Sequence, residues 1–242
     1  MNYVIGDIHG EIEKLKQLIY FVHKLDDNPK FIFIGDYIDK GFNPKKTLDY
    51  LVDISKEFEC VFLIGNHEFY WMQESAAEID KYLLKYGGKQ TIKSFKCNSI
   101  NETRSLLIND YKVFLTKLVP YHFFNNYFIS HSGFNPLNTS RIITEIPIED
   151  FLFNRYDFIK TNQFFKEKYK VIFGHTGFYT PYVDKYKIGI DTGAYVLEEQ
   201  PLTAFCLEKE FFLNSKGNFT DLLNIPKNIC PSIIRSNPWQ EN

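Results

Sequence analysis

The chain has few cysteines and no long apolar segment, and each shortage excludes a class of protein. Its 242 residues contain four cysteines, which stand far apart and form no Cys-x-x-Cys pair: Cys60, Cys97, Cys206 and Cys230. This spacing argues against a zinc-ribbon fold and against a disulfide framework. No apolar run approaches the roughly 18 residues that a membrane span requires, and no basic and apolar leader precedes the motif at Gly6. We therefore expect no signal peptide, no membrane partner and a reducing, cytoplasmic setting.

The chain also has little net charge. Its 28 Lys and Arg residues against 30 Asp and Glu residues give a formal charge of −2. This balance argues against a broad electrostatic contact with nucleic acid, and we expect no nucleic-acid partner. What the chain does have is apolar content, with 44% hydrophobic and 17% aromatic residues. That composition is typical of a globular protein with a sizeable core.

Apolar runs alternate with helical periodicity over the first seventy residues. Residues 3–5, 31–34 and 60–64 are continuous apolar runs, which indicate strands covered on both faces. Between them, apolar spacing predicts two helices, the second beginning at Pro44. The side chains expected to face inward are Ile12, Leu15, Leu18, Ile19, Val22 and Leu25 in the first helix, and Leu48, Leu51, Val52 and Ile54 in the second. This alternation predicts an α/β fold with its functional loops at the C-terminal ends of the strands.

The rest of the chain divides into three parts. Residues 69–118 lack strand runs and predict a helical insertion, broken at Gly87-Gly88 and around residues 98–101, that forms one wall of the site. Strands are predicted again at residues 127–130 and 170–173, and two more between Ile188 and Leu207, joined near residues 198–201. We expect one catalytic domain over residues 1–214 and an extended tail over residues 215–242.

Five short polar clusters occur in a fixed order along the chain. They are Gly6-Asp7-Ile8-His9-Gly10, Gly35-Asp36-Tyr37-Ile38-Asp39-Lys40-Gly41, Gly65-Asn66-His67-Glu68, His131-Ser132-Gly133 and Gly174-His175-Thr176. Each follows a predicted strand, whereas the two remaining histidines, His23 and His122, are interpreted as structural. Any one cluster alone has a plain explanation, such as a strand-to-helix turn or an acidic surface turn. The ordered set predicts one site built from several strand ends.

The residue types in these clusters suit metal ions. Asp7 and His9 flank one residue, so both side chains can point toward one cation. Asp36 and Asp39 lie three residues apart in a loop bounded by glycines, where unpaired carboxylates would repel each other. A bound cation removes that repulsion. Asp36, at the strand end, is placed to bridge two ions, and Asp39, farther along the loop, to orient a histidine.

The remaining clusters add nitrogen and amide ligands. Asn66 and His67 are adjacent, so their side chains diverge, and one can bind metal while the other faces a substrate. His131 and His175 each follow an apolar strand. A mixed set of Asp, Asn and His favours Mn or Fe, with Zn as an alternative. Two ions about 3.5–4 Å apart would activate a water and hold the oxygens of a phosphate.

The ordered motifs resemble those of the PPP-type serine/threonine phosphoprotein phosphatases, within the calcineurin-like metallophosphoesterases. The resemblance is greatest to the short branch that includes the bacteriophage lambda phosphatase, and it extends to Tyr86–Thr91, residues 114–121 and residues 190–204. It implies a β-sandwich flanked by helices, two divalent metal ions, and hydrolysis by direct in-line attack of a metal-bound hydroxide without a phosphoenzyme. A phosphorylated protein or a small phosphate ester would be the substrate.

Position by position, the resemblance also implies roles. Asp7, His9 and Asp36 would hold one ion, and Asp36, Asn66, His131 and His175 the second. His67 would protonate the leaving oxygen and would be held by Asp39. Lys40 stands where the family has an arginine, and it keeps the charge but loses the two-pronged guanidinium contact with phosphate. Arg155 matches the family's other phosphate-binding arginine, or else is a solvated helix charge, and Ser132 replaces the usual Gly or Ala.

These features favour a phosphatase that acts on phosphoprotein Ser or Thr, with Tyr as a further substrate. The alternative is a nucleotide hydrolase of the same superfamily, such as one that cleaves diadenosine tetraphosphate symmetrically. A non-catalytic binding protein is disfavoured, because every proposed ligand and the proposed acid are present.

Overall fold

Two β-sheets pack face to face in the computed structural model, which describes residues 1–135, 143–161 and 168–225. The strands are β1 (Asn2–Ile5), β2 (Lys30–Phe33), β3 (Cys60–Phe62), β4 (Tyr121–Phe124), β5 (Tyr127–Ser130), β6 (Lys170–Phe173), β7 (Tyr182–Val183), β8 (Lys187–Gly189), β9 (Thr203–Cys206), β10 (Phe211–Asn214) and β11 (Phe219–Asp221). The helices are α1 (Ile12–Leu25), α2 (Pro44–Glu57), α3 (Asn66–Met72), α4 (Ala77–Lys85), α5 (Gly88–Ser94), α6 (Ile100–Asp110), α7 (Lys112–Leu115) and α8 (Tyr156–Lys160). Short 3₁₀ helices span Ile143–Glu145, Ile148–Phe151 and Leu222–Asn224.

Each sheet combines three parallel strands with antiparallel strands, which lie on one side of the parallel set in the first sheet and on both sides in the second. The first sheet has the order β11-β10-β9-β1-β2-β3, in which β1, β2 and β3 are parallel. The second has the order β4-β5-β6-β8-β7, in which β5, β6 and β8 are parallel. A single bridge between Leu63 and Val119 extends the line of β3. The predicted β-sandwich flanked by helices is confirmed.

Side-chain alternation explains why the strand runs are apolar throughout. In β1, Tyr3 and Ile5 face the helices α1 and α2, whereas Val4 faces the second sheet. In the second sheet, Phe128 packs in an outer core, and its neighbour Ile129 packs between the sheets. Successive side chains of a strand point to opposite faces, so a strand that is covered on both sides needs an apolar residue at every position.

The two predicted helices form, with one error at a helix end. Pro44 begins α2 as predicted, and Leu48, Leu51 and Ile54 are buried, with Val52 partly buried. In α1 the predicted face is buried except at Leu25, which is 52% exposed. The prediction for Leu25 was wrong because α1 ends at this residue and the chain becomes extended at Asp26. Among the described residues, no helix is both long and apolar enough to cross a membrane.

The predicted insertion consists of helices, and its breaks fall where expected. Helix α4 ends before Gly87 and α5 starts at Gly88, and the next break separates Ser94 from Ile100. The two strands predicted between Ile188 and Leu207 are β8 and β9, which belong to different sheets. Beyond residue 215 the chain adds β11 to the edge of the first sheet, while residues 226–242 of the predicted tail lie outside the described part.

Candidate metal centre

The polar clusters lie at the carboxyl ends of strands from both sheets. Asp7, Asp36 and Asn66 follow the parallel strands β1, β2 and β3, while His131 and His175 follow β5 and β6. The carboxyl ends of parallel strands lie at one edge of a sheet. Because both sheets present this edge on the same side, residues up to 168 positions apart in the chain contact each other there, as Asp7 and His175 do.

Unusual backbone conformations aim these side chains inward. His9, Asp36, Asp39, Lys40 and His175 all have positive φ values of 46°, 53°, 66°, 55° and 63°. This left-handed region is uncommon for residues other than glycine, although Asp and His enter it more readily than most. Such conformations persist only where the surrounding structure fixes them, and they concentrate at functional sites.

Two groups of potential metal ligands share one carboxylate. His9, Asp36 and His67 form the first group, and Asp36, His131 and His175 form the second, with the ligand atoms of each group within 4.8 Å of one another. All five residues are buried. The Asp36 Oδ2 atom lies 3.1 Å from His9 Nε2, and its Oδ1 atom lies 3.5 Å from His131 Nε2. Asp36 is therefore the residue that the two groups have in common.

Burial favours the neutral form of three imidazoles of this centre, those of His9, His131 and His175. Burial lowers the pKa of His9 to about 3 and also lowers the pKa values of His131 and His175. The Nδ1 atom of His9 lies 2.7 Å from the carbonyl oxygen of Ile38, and that of His131 lies 3.0 Å from the carbonyl oxygen of Ile34. Since a carbonyl only accepts, each Nδ1 carries the proton and each Nε2 carries a lone pair.

These lone pairs face other acceptors at short range. His131 Nε2 lies 2.9 Å from Asn66 Oδ1, and His9 Nε2 lies 3.1 Å from Asp36 Oδ2. The amide of Asn66 is held in this orientation because its Nδ2 donates to the Tyr82 hydroxyl at 2.9 Å. The Nε2 atom of His9 is also met by the ammonium group of Lys40 at 2.9 Å. The facing acceptors of His131 and Asn66 gain nothing without a cation between them, so this donor set fits divalent metal ions.

The carboxylates lead to the same conclusion. Asp7 accepts the backbone N–H of His175 at 3.0 Å, which joins the loop after β1 to the loop after β6. Burial and the nearby charges of Asp191 and Asp36 raise the pKa of Asp7 well above its ordinary value. Three acidic groups gathered in a buried space repel one another when they are ionised. The Lys40 ammonium offsets part of this repulsion, and bound metal ions would offset more of it.

His67 is held by a hydrogen bond to Asp39. The His67 Nδ1 atom lies 2.6 Å from Asp39 Oδ2. The Asp39 carboxylate also accepts hydrogen bonds from Trp71 Nε1 at 2.9 Å and from the hydroxyl of Thr91. Trp71 and Thr91 come from α3 and α5, so the helical insertion does form a wall of the centre. This contact directs His67 Nε2 toward Asp36, 3.9 Å from Oδ2.

Two cationic side chains border the centre. The Lys40 Nζ atom lies 2.9 Å from His9 Nε2 and 4.2 Å from the centre of the Tyr195 ring. The exposed Arg155 reaches the same centre and donates from Nη1 to the carbonyl oxygen of His175 at 3.0 Å. Next to it, the hydroxyl of Ser132 accepts the backbone N–H of Asn154 at 3.0 Å. Ser132 thus ties the loop of His131 to the loop that carries Arg155.

Several residues around the centre were not assigned roles from the sequence. Glu68 is fully buried and accepts the backbone N–H groups of Asp36 and Tyr37 at 2.9 and 2.8 Å and that of Gly65 at 3.1 Å. Glu68 thereby clamps the loop that carries Asp36. Because Glu68 belongs to the third polar cluster, the sequence did mark it as a residue of the site. Tyr82, Trp71 and Tyr195 carried no such signal, because each reaches the centre only through tertiary packing.

Comparison with known proteins identifies the family. The family model described as calcineurin-like phosphoesterase matches residues 3–212. The chain therefore belongs to the calcineurin-like phosphoesterases, which are metal-dependent hydrolases of phosphate esters.

Solved structures share this fold at low identity. A cold-active protein-tyrosine phosphatase from a psychrophilic Shewanella species is 13% identical with a TM-score of 0.67, covering 91% of this chain and 80% of that one. A proposed diadenosine tetraphosphatase is 15% identical with a TM-score of 0.58, covering 90% and 91%. A protein serine/threonine phosphatase from Saccharomyces cerevisiae is 14% identical with a TM-score of 0.52, covering 84% and 71%. At such identities the likeness establishes the shared fold alone.

Proposed function

We propose that this calcineurin-like phosphoesterase is a PPP-type phosphomonoesterase with two metal ions, which removes phosphate from phosphorylated Ser, Thr or Tyr of proteins. The observation that carries the proposal is the position of Asp36, whose carboxylate lies between His9 on one side and His131 on the other, beside the His67–Asp39 pair. That arrangement provides ligands for two ions and a separate proton donor at one place.

The proposed ligands divide between the two ions. Asp7, His9 and Asp36 would hold one ion, and Asp36 would share the other with three further residues, namely Asn66, His131 and His175. The mixed oxygen and nitrogen donors favour Mn, with Fe or Zn as alternatives. Bound there, two divalent ions would polarise the phosphoryl oxygens and lower the pKa of an attacking water.

His67 would act as the general acid. In hydrolysis the bond from phosphorus to the leaving oxygen breaks as the bond from phosphorus to the water oxygen forms, and the leaving oxygen needs a proton. His67 can supply it from Nε2, because Nδ1 is engaged with Asp39 at 2.6 Å. The Asp39 carboxylate stabilises the protonated ring and fixes its orientation, which are the two requirements for an efficient acid.

Lys40 and Arg155 would bind the phosphate oxygens. Both cations adjoin the ligand groups, through His9 and His175 respectively. Arg155 offers the planar guanidinium that binds two phosphate oxygens at once, whereas Lys40 offers a single charged point. The Tyr195 ring beneath Lys40 supports its ammonium group by a cation–π contact at 4.2 Å.

A phosphoprotein is favoured over a dinucleotide by the third and fifth clusters. Both Gly65-Asn66-His67-Glu68 and Gly174-His175-Thr176 follow the phosphatase pattern. The dinucleotide alternative is supported by the proposed diadenosine tetraphosphatase, whose length this chain matches well, with 91% of that chain covered.

Rates measured side by side separate the two candidates. The kcat/KM of the Mn²⁺-loaded protein would be measured for a phosphoserine peptide, a phosphotyrosine peptide and diadenosine tetraphosphate. His67→Asn, purified in parallel, excludes a contaminating phosphatase. We expect a phosphopeptide to be the better substrate. A preference of orders of magnitude for the dinucleotide would overturn the proposal in favour of the alternative.

A further inference from the structure

A basic cavity lies beside the loop that carries Asp39 and Lys40. It has a volume of about 700 Å³, is open to solvent on one side, and is lined by the loop at Phe42, the first turns of α2 and the C-terminal half of α5. Four lysines and one carboxylate line it: Lys45, Lys46, Lys93, Lys96 and Asp49. We call this cavity the lysine groove. Its lining carries a strong excess of positive charge in a chain whose formal charge is −2.

Three of these lysines are available to a ligand. Lys45 is engaged, since its Nζ lies 3.1 Å from Asp49 and 3.2 Å from the Tyr111 hydroxyl. Lys46, Lys93 and Lys96 are exposed, and none of them pairs with a carboxylate within the described part of the chain. Clustered cations of this kind repel one another and attract anionic groups. The lysine groove therefore has the electrostatics of an anion-binding surface.

Helix α5 borders both the lysine groove and the proposed active site. Helix α5 presents Thr91 inward to Asp39 and carries Lys93 and Ser94 on the side that lines the groove. The hydroxyl of Ser94 accepts the backbone N–H of Lys45 at 2.9 Å, which fixes α5 against α2.

Phe42 lies between the loop that carries Asp39 and Lys40 and the lysine groove. It follows Lys40 and Gly41 directly, lines the groove, and is 87% exposed. A large exposed apolar side chain next to exposed cations is a combination that contacts peptide backbone and side chains well.

From these observations we propose that the lysine groove binds an acidic segment of the phosphoprotein substrate that flanks the phosphorylated residue. Lys46, Lys93 and Lys96 would pair with Asp or Glu side chains of that segment, and Phe42 would pack against it. This inference rests on the proposed function and assigns it a substrate class, namely phosphoproteins with acidic residues near the phosphate.

The lining favours a peptide over a nucleotide. A site that recognises a nucleotide base needs polar groups held at fixed positions in an enclosed pocket. Here the Ser94 hydroxyl already accepts a hydrogen bond, and Gln90 lies exposed at the surface. The groove provides charge spread over two helices, which suits several carboxylates along a flexible chain.

The test combines binding and kinetics. A fluorescently labelled peptide with Glu on both sides of serine, without phosphate, would be compared by anisotropy with the same peptide carrying Gln at those positions. The phosphoserine forms of both peptides would be assayed for kcat and KM with Mn²⁺. The variant K46E/K93E/K96E reverses the charge of the groove, and K112E/K117E/K209E makes the same change at exposed lysines that do not line it.

Exposed ion pairs are individually weak, so we expect the acidic peptide to bind about tenfold more tightly than its Gln counterpart and to show a KM lower by a similar factor. In K46E/K93E/K96E the preference should vanish or reverse, while K112E/K117E/K209E should keep it. Equal binding of the two peptides by the wild-type protein would overturn the inference, even where phosphopeptides are hydrolysed. If the groove variant instead lost affinity for diadenosine tetraphosphate and not for the peptide, the groove would be a nucleotide site.

Failure of the proposed function gives a different result. In that case neither phosphopeptide nor para-nitrophenyl phosphate, a small ester that does not reach the groove, would be hydrolysed. The anisotropy measurement would still decide whether the groove binds acidic peptides.

Discussion

His67 Nδ1 and Asp39 Oδ2 lie 2.6 Å apart, although 28 residues separate them in the chain. The contact sets the direction of the imidazole. Since a carboxylate only accepts, Nδ1 donates to Asp39, and Nε2 faces Asp36. Trp71 and Thr91 hold Asp39 in turn, so the orientation of His67 depends on the helical insertion.

The first prediction concerns this pair. His67→Asn should lower kcat by about 10²–10⁴-fold, because a general acid typically contributes that much. Asp39→Asn should lower kcat by about tenfold or more, since an amide does not stabilise a protonated ring. Steady-state kinetics and metal analysis of the purified variants provide the check. Full metal content in His67→Asn with an unchanged kcat would refute the role of His67.

The second prediction concerns Lys40. Lys40→Arg should change KM or the range of substrates and leave the metal content unaltered, because a guanidinium binds phosphate at two points where an ammonium binds at one. KM for a phosphopeptide and for para-nitrophenyl phosphate, with metal analysis in parallel, gives the comparison. A variant that loses its metal would show that Lys40 supports the ligands and does not contact substrate.

The third prediction concerns the clamp formed by Glu68. Glu68→Gln replaces one accepting oxygen by an NH₂ group that faces backbone N–H donors, and an unsatisfied buried donor costs about 1–3 kcal/mol. We expect the free energy of unfolding to fall by that amount and the metal affinity to fall about 10–100-fold, as for other changes behind metal ligands. Urea unfolding and metal titration measure the two effects. Exposed Glu74→Gln is the matched control, and equal behaviour of the two variants would contradict the clamp.

The fourth prediction concerns the contact between the loops of Asp36 and Asn66. A Cβ atom at Gly65 would lie 2.2 Å from Asp36 Oδ1 and 2.3 Å from its backbone nitrogen. Gly65→Ala must therefore displace Asp36, and we expect a loss of about 3 kcal/mol or more in unfolding free energy together with loss of metal.

Gly217→Ala is its control. Gly217 has a φ of 78°, and a Cβ there would meet only the Phe21 ring at 2.9 Å. That variant should cost about 1–2 kcal/mol, the usual penalty for a left-handed alanine, and keep its metal. Retention of metal by Gly65→Ala would show that the loops can separate without harm.

The fifth prediction concerns pH. Burial raises the pKa of Asp191 from 3.8 to about 6. Between these values the folded, metal-free protein keeps a proton that the unfolded chain has released, so the free energy of unfolding should fall as the pH rises through this window. The contribution is up to about 3 kcal/mol. Urea unfolding of the metal-free protein from pH 4 to pH 7 should show a steeper fall in the free energy of unfolding for the wild type than for Asp191→Asn. If the two proteins instead lose stability in parallel, Asp191 does not have the raised pKa.

Apolar runs and paired glycines in the sequence predicted strands and helix breaks that the structure contains. Continuous apolar runs identified β1, β2, β5 and β6, because strands covered on both faces need apolar residues throughout. Gly87-Gly88 marked the break between two helices of the insertion. The error at Leu25 has a local cause, since periodicity does not show at which residue a helix ends.

The sequence by itself therefore determined the order of strands and helices, the five clusters and the chemical types of ligand they carry, because these follow from short-range alternation and composition. Only the tertiary structure decided which residues meet. It put Asp7 against the amide of His175, Glu68 behind Asp36, Tyr82 on Asn66 and the lysine groove beside Phe42. These contacts join strand ends of two sheets and helices of an insertion. Their energies depend on packing between segments far apart in the chain, which no local pattern of residues records.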